Sequence, residues 1–407
     1  MAVVHPFGAL RPKPENAAAV AALPYDVLST AEARAMCSGN PVSFLHVDKP
    51  EMAFPDDLPQ YDPQLYPRAK VAFDELAASG AMLEDAKPCF YIYRQTAGGR
   101  TQTGLCACTE VAAYNAGTIK KHELTRTAKE QDRVNHVDIL NAHTGPIFLT
   151  YRAIPAPKVI MQNWMNNHAP VYDFKSEDGV GQTMWVVDDE GVIKDLADAF
   201  ASVEALYIAD GHHRAAAASR VAAARANADP NAEVNRFLAM IFPHDELAIL
   251  DYNRMVKDLN GLDPAGLLAA LGNKFDVVES ADPVKPSEPI TFGMYVAGKW
   301  YSIKFKGSVP ADTVQRLAVS ILQNEVLNPL LGIENPQTDK RIDFVGGIRG
   351  TSELENRVNS GEMAIAFTLC PTALTELMDV SDTGLVMPPK STWFEPKLRS
   401  GLLIHKF

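Results

Sequence analysis

Cysteine is scarce and unpatterned in this chain of 407 residues: Cys37, Cys89, Cys106, Cys108 and Cys370 are odd in number and scattered. A disulfide-stapled secreted fold would have an even, regularly spaced set, so the thiols read as reduced and the compartment as cytoplasmic. Cys106 and Cys108 stand two apart in a strand-like segment and share a face. With no second ligand pair nearby, packing is expected there rather than metal binding. No apolar run approaches the roughly 18 residues of a membrane span, and the opening MAVVHPFGALRPKPE lacks the apolar core of a secretion signal. Positive charge is also short: 38 Lys and Arg against 50 Asp and Glu give a net charge of −12. That balance argues against a protein that coats nucleic acid or an anionic membrane, though a local basic pocket remains compatible with it. Several motifs are missing too. Without GxxxxGK[ST] there is no P-loop, and neither GxGxxG, GxSxG nor a kinase HRD/DFG set occurs.

What is present is an ordinary globular composition, 47% hydrophobic and 22% charged, over a length sufficient for two or three domains. The patterning predicts short helices at 15–22 and 31–37, the latter capped by Thr30, and a short strand at 43–47 (SFLHV). An acidic loop at 50–63 and an amphipathic helix at 66–79, closed by Gly80, come next. Strands 89–95 and 103–111 around Gly98-Gly99 read as a hairpin. A charged, helix-prone block at 118–140 and a buried strand at 147–151 follow. The strand before Asp210, the alanine-rich helix 215–226 and the strand 235–242 suggest a βαβ-like unit. After about residue 260 the pattern resets. A helix at 264–271, a proline-rich joint, a hairpin turning at Ala297-Gly298 and a long helix at 311–327 are expected. The last 21 residues, rich in Lys, Arg and aromatics, are expected to fold back onto the body. The expected class is α/β (mixed α+β), with a first domain over 1–260 and a smaller C-terminal α+β domain over 261–407 that packs on the site.

Asp210-Gly211-His212-His213-Arg214 is the most informative stretch. A strand that ends in a carboxylate, turns on glycine and enters a helix presents unpaired N–H groups to an anion. Two imidazoles and a guanidinium add donors for phosphate oxygens, and Asp210 suits a metal ion or a hydroxyl proton. The bland alternative is a capped helix with surface histidines. In residues 120–133, His122, Thr125, Arg126, Lys129 and Arg133 would share a cationic face if helical throughout; the alternative is a solvated helix laced with ion pairs. No second histidine follows His122-Glu123 at zinc-protease spacing. Residues 141–146 (NAHTGP) form a polar turn before a buried strand. Arg11, Glu15, Tyr25, Asp26 and His46 near the start, and Lys390, Trp393, Glu395 and Lys397 near the end, complete the candidates. Surface packing is the plain reading of both groups.

At Asp210 to Arg214 the chain resembles the ParB/sulfiredoxin-like superfamily, and within it the free-serine kinases, which carry the same Asp-Gly-His-His-Arg loop. Over nearly its whole length it resembles a large prokaryotic family catalogued as a domain of unknown function. The residues that carry this likeness are 9–15 (ALRPKPE), 23–29 (LPYDVLS), 40–47 (NPVSFLHV), 122–133 (HELTRTAKEQDR), 209–217 (ADGHHRAAA) and 387–401 (MPPKSTWFEPKLRSG). The resemblance implies a ParB/sulfiredoxin-like core with insertions. It further implies phosphoryl transfer from ATP, ADP or pyrophosphate, with Mg²⁺, to the hydroxyl of free L-serine or a close analogue. Asp210 and His212 would be catalytic, with Asp210 also the metal ligand, and Glu15 the base by its position in an early turn. Gly211, His213, Arg214, Arg126, Lys129 and Arg133 would hold phosphates, and Asp26, His46 and His122 would hold substrate. Sulfiredoxin chemistry needs a cysteine where His212 stands. A ParB partition protein would carry a helix-turn-helix and a basic patch, which the acidic balance and mixed C-terminal half do not suggest. The alternative class is a non-catalytic nucleotide-sensing or nucleic-acid-associated module. Oligomeric state is not legible.

Overall fold

The hairpin expected at Gly98-Gly99 forms. Phe90–Ala97 and Arg100–Glu110 pair antiparallel with Ala97 opposite Arg100, and both glycines take the positive φ (55° and 78°) that a two-residue turn demands. In this computed structural model residues 1–407 are described except 227, 228 and 230. The hairpin sits inside a nine-stranded sheet. In order, its strands are Ile119–Lys120, Leu206–Asp210, Ile147–Tyr151, Arg236–Pro243, Arg100–Glu110, Phe90–Ala97, Gly181–Val187 and Tyr172–Lys175, with Val4–His5 also paired to Arg100–Glu110. The central strands are apolar on both faces: Leu105, Cys106, Ala107 and Cys108 are all at 0% exposure. A sheet covered on both sides requires this, and it accounts for the two thiols as core. The overall class is mixed α/β.

The chain divides into two compact units, 1–247 with 396–407, and 248–395. The first holds the nine-stranded sheet and a second apolar cluster around Phe44, Leu45, Phe73 and Ile404. The tail folds back as expected: His405–Lys406 pairs with Ala142–His143, and Ile404 bonds the backbone of Leu10. The second unit is built on a six-stranded sheet that is antiparallel throughout, including the hairpin Thr291–Val296/Lys299–Phe305.

Four local expectations are corrected. Residues 43–47 are not a strand but lead into the helix Leu45–Asp48. Phe44, Leu45 and Val47 are all buried without alternation, and the Phe44 N–H is taken by the Val20 carbonyl. The helix at 31–37 starts one residue earlier, as Thr30–Met36, because Ser29 and Glu32 make a reciprocal capping box. The long helix at 311–327 shortens to Ala318–Leu322 continued by a π turn, Gln323–Leu327. The Asp312 carboxylate accepts the N–H groups of Val314 and Gln315, a local bond that competes with helix. Finally, the strands flanking the alanine-rich helix do not make a βαβ unit. Ile147–Tyr151 lies between them, antiparallel to Leu206–Asp210 and parallel to Arg236–Pro243.

Candidate functional site

Strand Leu206–Asp210 carries the chain to the site, and its last residues are displaced by a register shift between Ile208 and Asp210, a device that re-aims side chains at sheet ends. Gly211 then takes φ +100° as the N-cap of helix His212–Arg225. Only a residue without Cβ does this at no cost. A Cβ there would also come within 3.0–3.1 Å of the Arg214 guanidinium. Ile119–Lys120 runs parallel beside Leu206–Asp210, so the residues following it emerge at the same sheet edge. That adjacency brings His122 to His212.

The carboxylate of Asp210 keeps 37% of its exposure and faces Lys397 Nζ at 3.5 Å and Arg214 at 4.0 Å. Desolvation would raise its pKa. Lys397, Arg214 and the Gly211 N–H outweigh that and hold the group well below the usual carboxylate range. His212 and His122 are both buried, with ring centroids 4.5 Å apart in a T-shaped pair. Burial lowers His122 to about 4, partly offset by its bond to the Ile208 carbonyl. Burial, with His122 beside it, takes His212 well below its ordinary value. Both rings are neutral at pH 7. The His213 ring accepts the N–H of Arg126 at 3.0 Å and is lowered by burial and by Lys129. Arg214 donates to the Pro146 carbonyl.

On the His213 and Arg214 side lies a cavity of about 470 Å³, lined among others by Tyr25, Asp26, Asp48, Lys129, Asp132 and Arg133. Its walls are fixed. Arg133 grips Asp132 through two nitrogens, at 2.8 and 2.7 Å, and lies 3.9 Å over the Tyr25 ring. Asp48 accepts from Thr144 at 3.2 Å and is pushed up by burial, against the pull of Ser400 and Arg133. Tyr25, Asp48 and Arg133 also line a separate, much smaller hollow whose wall includes Arg214.

The structure thus brings Asp26, His122, Lys129, Arg133, Lys397 and the pentad into one neighbourhood. It does not bring Glu15, which stands exposed in the turn Pro14–Asn16 and lines neither hollow. Nor does it bring His46, whose ring bonds the Asn40 carbonyl at 3.1 Å. Arg11 is used structurally, held by Asp85 at 2.8 and 2.9 Å. The cationic face at 122–133 is helical only from Thr127 on. Arg126 is its extended N-cap, and His122 lies before it. The sequence reading missed Asp48, whose neighbours Thr144, Arg133 and Ser400 are remote in sequence. It also missed Asp132, which stands next to Arg133 in the charged block but whose other partner, Tyr66, is 66 positions away.

Residues 4–320 match the family described as "Protein of unknown function (DUF1015)", and the chain belongs to that family. No curated protein matches the sequence. Among solved structures, a free serine kinase in complex with AMP is similar at 15% identity and TM-score 0.37, covering 73% of this chain and 91% of its own. A conserved hypothetical protein from Pyrococcus furiosus is similar at 16% and 0.36, covering 73% and 94%. SbnI from Staphylococcus aureus with a C-terminal truncation is similar at 10% and 0.39, covering 74% and 87%.

Proposed function

We propose that this DUF1015 protein is a small-molecule kinase with a ParB/sulfiredoxin-like core, acting on the hydroxyl of free L-serine or a close analogue. The phosphoryl donor would be ATP, ADP or pyrophosphate. One observation carries the reading. The helix that starts after Gly211 sets Arg214 in the wall of a small hollow shared with Tyr25, Asp48 and Arg133, and those three residues also line the polar cavity that holds Lys129. Phosphoryl transfer asks chiefly for positioning and for positive charge around the transferred group. The first-turn N–H groups, Arg214, Lys129 and Arg133 would supply both, with Arg126 at the rim. The Asp-Gly-His-His-Arg resemblance to free-serine kinases points the same way.

In the reaction the acceptor oxygen attacks phosphorus, the bond to the donor's bridging oxygen breaks, and the hydroxyl proton passes to a carboxylate. Asp26, which lines the cavity and acts electrostatically on His213, is the better placed base; Glu15 lines neither hollow. Asp210 remains ionised under Lys397 and Arg214, so it would provide the one carboxylate oxygen that Mg²⁺ needs when it arrives with phosphates. That ion would neutralise charge on the transferred group.

The test is turnover. Purified protein with Mg²⁺, L-serine and each donor in turn should yield phosphoserine by ³¹P NMR, and Asp210→Ala should lower the rate at least 100-fold. Tight nucleotide binding without product from any donor would replace the kinase with a nucleotide-sensing module. Asp26→Asn should cost far more than Glu15→Gln, and the reverse order would restore Glu15 as the base.

A further inference from the structure

We infer that His122, Glu123 and His212 form a binding site for one divalent first-row transition ion of the zinc class. This site is separate from the Mg²⁺ position at Asp210. One donor atom from each of the three side chains lies within 4.8 Å of the other two. A tetrahedral ion with bonds of about 2.0–2.1 Å holds its donors roughly 3.3 Å apart, so the set has to contract. Glu123 is the accessible member and has three side-chain torsions, whereas the two imidazoles are 2% and 5% exposed.

Each imidazole is braced as a ligand has to be. The ring of His122 is hydrogen-bonded to the backbone carbonyl of Ile208, the kind of outer partner that sets the tautomer of a metal-binding histidine. His212 sits in the first turn of a 14-residue helix behind the constrained Gly211. The direct contact between the two histidines is weak. It is not ring to ring: the backbone N–H of His122 reaches His212 Nε2 at 3.5 Å, the outer limit of a hydrogen bond, and an ion would displace it. Simple packing of two rings accounts for the T-shaped pair but not for a carboxylate converging on both.

Ligand chemistry selects the ion. Two nitrogens and one carboxylate suit zinc and its first-row neighbours, whereas magnesium and calcium take oxygen donors. Three protein ligands leave a fourth position open, the pattern of a reacting site rather than a purely structural one. The negative charge of Asp210 acts on both rings and lowers the electrostatic cost of a dication there.

The inference does not depend on the kinase reading, and its test uses neither nucleotide nor serine. The full chain, stripped with chelator, is titrated with Zn²⁺ and Co²⁺, with Mg²⁺ as control, using equilibrium dialysis and visible absorption. The expected result is one Zn²⁺ or Co²⁺ per chain, intense Co²⁺ ligand-field bands, and no competition from millimolar Mg²⁺. Glu123→Gln should weaken binding at least tenfold while the metal-free melting temperature stays unchanged. His212→Gln should remove the bands. The idea is overturned if neither ion binds stoichiometrically, if Mg²⁺ competes equally, or if binding survives Glu123→Gln in a folded protein.

Discussion

At the scale of single residues, Gly211 and Arg133 carry the clearest consequences. Gly211→Ala forces an L-residue to φ +100° and sets a Cβ at 3.0 Å from the Arg214 side chain. The backbone strain should cost about 1–2 kcal/mol. The flexible guanidinium would move aside, so binding of inorganic pyrophosphate should weaken more than stability does; chemical denaturation and calorimetry measure the two separately. Arg133 is buried, bidentate to Asp132 and stacked on Tyr25. Arg133→Met would strand Asp132 without its cation, and a loss of about 3–5 kcal/mol is expected. Losing under 1 kcal/mol in urea denaturation would mean that the pair contributes little to the fold. Gly211 was legible in the sequence because glycine between a strand and a helix has a local reason to be there. The role of Arg133 was half legible. Its charge and spacing were visible, but its partners Asp132 and Tyr25 were not, because whether a side chain points inward depends on what packs over it.

At the scale of elements, the helix Thr127–Leu140 lies along His212–Arg225, tied by Arg220 to Glu130 at 3.2 Å and by Arg225 to Asp138 at 2.9 Å. These exposed pairs add little stability, but they hold Lys129 and Arg133 beside the helix start. The block at 122–133 is rich in helix formers from end to end, and composition by itself extends the helix back to His122. The structure ends it at Thr127 because the Arg126 N–H is given to the His213 ring, a partner 87 residues away. Buried histidines on and beside these elements also set the acid limit of stability. His122 is lowered by burial to about 4, and His136 and His143 to about 3, against an ordinary 6.5. With depressed folded values, the unfolded chain takes up protons first, so their stabilisation is complete above pH 6.5 and is lost as pH falls toward 3–4. Asp48, raised by burial, works the opposite way over the carboxylate range but is one group against five, since burial lowers His212 and His213 as well. Melting temperature should therefore fall steadily from pH 6.5 to 4, and His136→Gln should flatten that limb. A flat profile over this window in the parent protein would contradict the burial of these rings.

At the scale of the molecule, the closing segment 396–407 is part of the first unit rather than an appendage. Leu402, Leu403 and Ile404 are at most 1% exposed, His405 bonds Glu233 at 2.7 Å, and Lys397 meets Asp210. Burying three aliphatic side chains is worth roughly 1.5–3 kcal/mol each. Deletion of 396–407 should thus lower the melting temperature by more than 10 °C or leave the chain insoluble. A truncated protein with unchanged thermal unfolding would show the segment to be dispensable. The basic, aromatic composition of the tail made its return to the body expected, but its destination beside Asp210 was not written there.

The sequence by itself determined what short-range physics decides. The Gly98-Gly99 and Ala297-Gly298 turns, the apolar strands, the strand-to-helix turn at Gly211 and the mixed α/β class all follow from residues a few positions apart. Only the tertiary structure decided which elements lie side by side. Ile147–Tyr151 intervenes in what reads as a βαβ unit, Ile119–Lys120 delivers His122 to His212, and Asp48 joins Arg133 in the cavity while Glu15 stays outside. Strand order and inward-facing partners are set by burying apolar surface over the whole chain. That sum is made among residues far apart in the sequence, and no local pattern records it.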